Sequence, residues 1–255
     1  MGLPALAALA VGPSLVLIHF LWSRDRYREP AGNVLRYLLL GALSVAPAAL
    51  VESALHVPIL GGLEAGVEAL PTAVWAFLGV AFVEEGLKYA VLWLRARRDG
   101  HLDEPFDWLV YAVAVSLGFA TLENVFYVLE GGAAVAIGRA FTAVPSHALD
   151  GTMMGWRLAR AHVRTGAAAT RERALALLEP VVWHGAYDYL LMLAAGAEEG
   201  RASLLGFGWI VLVIAQWVVC ARRLRTMCRE QHVPAPPLLG PIATLARVLH
   251  RDRAP

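Results

Sequence analysis

The 255-residue chain is 58% hydrophobic and 17% charged, with a mean hydropathy of +0.56, too apolar for an ordinary soluble domain. A formal net charge of +1 leaves no footprint for nucleic acid, and Cys220 and Cys228, without CxxC spacing, argue against a disulfide framework or a thiolate zinc site. What remains is an all-α, polytopic transmembrane helical bundle in the lipid bilayer.

Seven windows of about 18–25 residues, the length that crosses a bilayer core, follow in chain order at 3–22, 33–54, 70–94, 106–129, 139–160, 174–195 and 202–220. No separate soluble domain fits between them, so residues 1–231 read as one membrane domain. The first window lacks a basic n-region before it and an A-x-A cleavage site after it and reads as a retained helix. Every second loop or flank is basic: Arg24, Arg26 and Arg28; Arg95, Arg97 and Arg98; Arg160, Arg164, Arg171 and Arg173; Arg222, Arg223, Arg225 and Arg229. The loops between them hold Glu64 and Glu68, Glu130, and Glu198 and Glu199. Basic loops stay cytoplasmic, which puts the N-terminus outside and the C-terminus inside a multi-pass protein of the cell inner (plasma) membrane. Residues 232–255 form a cytoplasmic tail with a Pro-rich linker and then LGPIATLARVLHR, a basic amphipathic stretch suited to the inner leaflet. A disordered tail is the equal alternative.

The third window contains AFVEEGLKYAVLW, with Glu84, Glu85 and Lys88 inside an apolar run. An Asp, Lys or Arg near the centre of a span costs about 2.5–3.5 kcal/mol, so these groups need partners. On a helix Lys88 is i+4 from Glu84 and i+3 from Glu85, and one ammonium reaches both carboxylates. Lys88 is also the single lysine in the chain, beside 21 arginines. A salt-bridged patch that locks helices together is the plain structural alternative.

Three more windows carry polar groups. GFATLENVFY places Glu123 and Asn124 in the fourth, with Phe119 and Tyr127 one turn to either side of Glu123 on its face; Phe119, Asn124 and Tyr127 are candidate substrate contacts. VPSHALDGTMMGW places His147 and Asp150 in the fifth, just after Pro145, which can open the backbone. EPVVWHGAYDYLL places His184 and Asp188 in the sixth at i,i+4, where a carboxylate can orient an imidazole. At about 1.5 Å per residue these groups scatter over about 15 Å of depth, which allows a shared chamber in the middle to outer half of the membrane.

Paired carboxylates beside a lysine supply a base and an acid, and imidazoles can donate to an oxyanion. No Ser or Cys stands in a nucleophile arrangement: Ser146 adjoins His147, but neighbouring residues on a helix face apart. Hydrolysis by carboxylate-activated water is therefore favoured, with no cofactor. Zinc is the competing reading, with Glu84, Glu123, His147 and His184 as ligands; the absence of HExxH and the nearness of Lys88 weigh against it. A proton-coupled transporter and a non-catalytic scaffold are the readings from other classes.

EEGLK, FATLEN, HALDG and HGAYD match the patterns EExxK, FxxxEN, HxxxG and HxxxD, in order and on separate spans. In this the chain resembles the PrsW family of intramembrane proteases, itself similar to the broader ABI/CAAX prenyl protease superfamily. The resemblance covers about residues 70–195. It implies a membrane-embedded endopeptidase acting on a single-span membrane protein, with an anti-sigma factor as a substrate of the kind cut at site 1. By position it implies Glu84 and Glu85 as the essential pair, Lys88 as their support, and Glu123, His147, His184 and Asp188 as the remaining site. It leaves the choice between a metal and a glutamate mechanism open.

Overall fold

A computed structural model describes residues 3–96 and 98–231. Among them the order is α1 (Leu3–Trp22), α2 (Ala31–Leu43), α3 (Val45–Leu60), α4 (Ala69–Val74), a π-helical segment (Trp75–Ala81), α5 (Phe82–Ala96), α6 (Pro105–Phe141), α7 (Ala143–His162), α8 (Gly166–Ala195) and α9 (Glu199–Glu230). The described residues form no strand. The expected amphipathic stretch of the tail lies outside them.

Among the described residues, five helical runs are long and apolar enough to cross a membrane: Pro4–Trp22, Ala31–Leu60, Ala69–Ala96, Pro105–His162 and Glu199–Glu230. The run Pro105–His162 takes in both α6 and α7. α8 is not among the five: Arg171, Glu172 and Arg173 load its first turns, and Glu179, His184, Asp188 and the polar-edged Trp183, Tyr187 and Tyr189 keep the remainder below the apolarity of the other runs. The second window is broken at Ser44, where Pro47 cannot supply the N–H that the Leu43 carbonyl would take in a continuous helix.

α6 is the axis of the bundle. It opens with a capping box between Glu104 and Asp107 and with Pro105 in its first turn. Every residue from Phe106 to Ala120 is buried, as expected for a helix apolar on all sides. Glycines let α2 lie against it backbone to backbone: a Cβ on Gly41 would fall 2.0 Å from the Val115 carbonyl oxygen, and one on Gly118 would fall 1.9 Å from that of Leu38. α9 is the opposite case. Its Leu204, Phe207, Val211, Ile214 and Val218 are exposed at helical spacing, the face a lipid environment would cover.

Two local irregularities position the site. At Gly132 (φ 66°, ψ −154°) the chain leaves helical geometry inside α6 and folds back. The segment Trp75–Ala81 is π-helical directly before the turn that carries Glu84, and such widened turns recur at functional sites. At the end of the molecule opposite that fold-back, Arg157 bonds Glu172 and Glu179, Arg160 and Arg164 bond Glu172, and Arg223 bonds Glu179. These ion pairs tie α7, α8 and α9 together.

Candidate active site

The site starts from one turn of α5. Lys88 Nζ lies 3.0 Å from Glu84 Oε2 and 2.7 Å from Glu85 Oε1, as the i,i+4 and i,i+3 spacing requires. Lys88 is fully buried, and its ammonium sits 4.1 Å from the centre of the Phe119 ring of α6. A cation held by two carboxylates and an aromatic face is adequately compensated for burial.

α7 and α8 bring the imidazoles. His147 Nδ1 is 3.1 Å from Lys88 Nζ and its Nε2 is 3.0 Å from Glu123 Oε2. His184 Nδ1 is 2.9 Å from Glu85 Oε1, while its Nε2 is 3.2 Å from Asp188 Oδ2 and 4.0 Å from Glu84 Oε2. The two rings meet edge to face at 5.3 Å. All seven candidate catalytic residues, Glu84, Glu85, Lys88, Glu123, His147, His184 and Asp188, thus belong to one network drawn from α5, α6, α7 and α8.

Beside this network is a cavity of about 520 Å³, lined by Glu84, Glu123, His147, His184, Asp188 and Asp150, and by Phe119, Tyr127 and Arg139. Glu85 and Lys88 are not on its wall. Glu84 is 5% exposed and Glu85 0%, so neighbouring carboxylates have separate surroundings: one opens to the cavity and the other is sealed behind it.

Three sequence expectations change here. Asn124 does not contact the cavity. It is fully buried, donates to the Ala10 carbonyl and accepts from Arg139 Nε at 3.0 Å, so it fixes helices and Arg139 rather than substrate. At this site the donors close enough to share a metal ion are those of Glu84, Glu85, His147 and His184, with Glu85 where the sequence reading names Glu123. Finally, both nitrogens of His184 face carboxylates, so the ring is not a free oxyanion donor.

Arg139, Glu52 and Gln216 escape the sequence reading. Arg139 donates to Glu123 at 2.8 Å and lies 3.9 Å over the Tyr127 ring. In a straight helix Arg139 and Asn124 would be about 22 Å apart; the turn at Gly132, within the loop expected between the fourth and fifth windows, brings them into contact, and only this pairing goes unannounced. Glu52 of α3 reaches the cavity with Oε1 buried and unpartnered. As a lone carboxylate in an apolar window it carried the same signal as Glu123. Gln216 of α9 donates to Asp150 Oδ1 at 2.7 Å.

The donor types suit a metal ion, although Lys88 Nζ already lies 3.0 Å from Glu84, 2.7 Å from Glu85 and 3.1 Å from His147. Two carboxylates and two imidazoles are ligands zinc accepts. Along the cavity and its network six carboxylates (Glu52, Glu84, Glu85, Glu123, Asp150 and Asp188) face two fixed cations, Lys88 and Arg139.

Residues 29–219 match the family described as "PrsW family intramembrane metalloprotease". The chain is 35% identical to Protease PrsW of Bacillus subtilis (strain 168) over 188 residues, 73% of this chain and 83% of that protein. It is 34% identical to Protease PrsW of Geobacillus kaustophilus (strain HTA426) over 238 residues, 90% of this chain and 96% of the relative. Protease PrsW of Shouchella clausii (strain KSM-K16) is 34% identical over 226 residues, 88% of this chain and 98% of that one. No solved structure matches. The chain belongs to the PrsW family of intramembrane proteases.

Proposed function

We propose that this PrsW-family protease cuts membrane-anchored proteins with water activated by Glu84. The observation that carries the assignment is the asymmetry of the carboxylate pair: Glu84 opens to the cavity, whereas Glu85 is sealed between Lys88 and His184. A base must reach the water it deprotonates.

In this reading Glu84 accepts a proton from water as the oxygen attacks the scissile carbonyl carbon. Lys88 holds Glu84 in place and Glu85 anchors Lys88. His184 supplies the proton the leaving amine needs when the C–N bond breaks. Its two nitrogens each face a carboxylate oxygen, so His184, Glu85 and Asp188 together hold one proton more than a neutral ring beside two carboxylates would. Glu84, 4.0 Å from His184 Nε2, then returns the proton it took. Arg139 and the Nε2–H of His147 fix Glu123 on the cavity wall, and Phe119 and Tyr127 offer ring faces to the substrate chain.

The family description and the donor set support a resident metal ion, with Glu84, Glu85, His147 and His184 as the residues that would hold it. Such an ion, zinc by ligand chemistry, polarises a carbonyl and makes water more acidic when bound.

The arginine pattern supports seven spans with the N-terminus outside, in the plasma membrane. Under that orientation the cavity lies toward the outer side, and a single-span protein such as an anti-sigma factor is the substrate class. The test is cleavage of single-span substrates by the purified protein in detergent, wild type against Glu84→Gln, with and without a zinc chelator. Cleavage by wild type and loss in folded Glu84→Gln support the assignment; undiminished cleavage in Glu84→Gln removes it.

A further inference from the structure

We propose that Asp25, Glu29 and Asp107 form a second binding site, for a hard divalent cation, at the end of α6 remote from the catalytic cavity. Asp25 and Glu29 sit in the turn between α1 and α2, and Asp107 in the first turn of α6. Glu123, on the same helix, is about 24 Å further along the axis.

Each of the three residues presents a carboxylate oxygen within 4.8 Å of the other two, and all three are buried: Asp25 is 4% exposed, Glu29 5% and Asp107 0%. Their protein partners use only part of their capacity. Asp25 Oδ1 accepts from the Tyr27 N–H, Asp107 Oδ2 accepts from the N–H groups of Asp103 and Glu104, and Glu29 Oε2 accepts from the Tyr111 hydroxyl. The Glu29 N–H also faces Asp25, and the Glu29 and Asp107 carboxyls lie within reach of one another, yet Asp25 Oδ2 and Asp107 Oδ1 are buried with no N–H or O–H donor directed at them. Orphaned carboxylate oxygens in a protein interior are costly, and among the described residues no Lys or Arg forms an ion pair with any of the three. Arg28, three residues from Asp25, acts on it only through space.

Oxygen-only ligands select the class of ion. Carboxylates without nitrogen or sulfur suit Mg²⁺, Ca²⁺ or Mn²⁺ rather than zinc. Bound there, the ion would pin the turn that joins α1 and α2 to the base of the buried axis of the bundle.

The test uses the full chain in detergent, stripped with EDTA and titrated with Mn²⁺ under electron paramagnetic resonance. The Glu84→Gln/His184→Ala double variant removes donors of the catalytic cluster, so the remaining ion reports this site. About one Mn²⁺ per chain is expected, displaced by excess Mg²⁺ or Ca²⁺. Asp25→Asn and Asp107→Asn, added singly, should each weaken it on the order of tenfold or more. Asp107 also caps α6, so Asp25→Asn, outside the helices, decides the matter if Asp107→Asn fails to fold. No Mn²⁺ bound up to millimolar concentration, or binding indifferent to Asp25→Asn, would overturn the site and leave three carboxyls that only share protons.

Discussion

Lys88 Nζ lies 3.1 Å from His147 Nδ1, although 59 residues separate them in the chain. An ammonium can only donate, so Nδ1 accepts and the proton of a neutral ring sits on Nε2, 3.0 Å from Glu123 Oε2. One lysine therefore holds two carboxylates and sets the tautomer of an imidazole on another helix.

Lys88→Met should remove both effects. Glu84 and Glu85 would lose their shared countercharge in a buried site, a change that costs about 3–5 kcal/mol where one partner of a buried ion pair is deleted. The expected outcome is a lowered thermal midpoint together with lost cleavage. Lys88→Arg should not restore activity, because the planar guanidinium cannot occupy the compact point between Glu84, Glu85 and His147. Thermal unfolding and cleavage measured on both variants check this.

Gly185 adjoins His184 and faces the π-helical segment: a Cβ there would lie 2.4 Å from Phe77 Cδ1 and 2.8 Å from Cγ. Gly185→Ala should push α8 away from α5 and stretch the His184–Glu85 contact, lowering cleavage. Adding Phe77→Ala to Gly185→Ala makes room and should recover part of the loss. A double variant no better than Gly185→Ala alone would show that this packing does not limit the site.

The heart of the site was legible because it is local. EEGLK states its own ion pairs through helical spacing, and HGAYD does the same for His184 and Asp188. That four spans converge was legible only as a shared depth, since spacing along one helix says nothing of its neighbours. What remained hidden depends on chain reversal or tertiary contact: Arg139 meets Glu123 through the turn at Gly132, Gln216 reaches Asp150 from α9, and the π-helical widening at Trp75–Ala81 has no periodic signature. Asp25 and Glu29 were masked by the arginines around them, which read first as a topology signal.

Arg139 donates to both Glu123 and Asn124. Arg139→Ala should free Glu123 and lower cleavage, whereas Asn124→Ala should act mainly on stability, because Asn124 is sealed from the cavity and ties α6 to the Ala10 carbonyl of α1. Comparing kcat with thermal midpoint separates them: a fall in kcat with little change in midpoint is expected for Arg139→Ala, and the reverse for Asn124→Ala.

The Glu172 carboxyl is buried, which opposes its charge, but hydrogen bonds and charge from Arg157 and Arg160 outweigh that and hold it below its ordinary value of 4.5. A lowered carboxyl adds stability that is present above the unfolded value and lost as pH falls through the lowered one. Thermal midpoints in detergent should therefore drop on acidification below about pH 4.5. Glu172→Gln should lower the midpoint at neutral pH and flatten that acid limb; an unchanged limb would place the acid sensitivity elsewhere.

The central claim is that Glu84 activates the water while Glu85 supports the site from behind, and the most direct measurement is single-turnover cleavage of a single-span substrate by wild type, Glu84→Gln and Glu85→Gln, each with its thermal midpoint. Glu84→Gln should keep a midpoint near wild type and lose about 10²–10⁴-fold in rate, while Glu85→Gln should lose stability as well as rate, because Lys88 and His184 both lean on it. Wild-type cleavage in Glu84→Gln, or a Glu85→Gln protein as stable as wild type with the larger loss of rate, would contradict it.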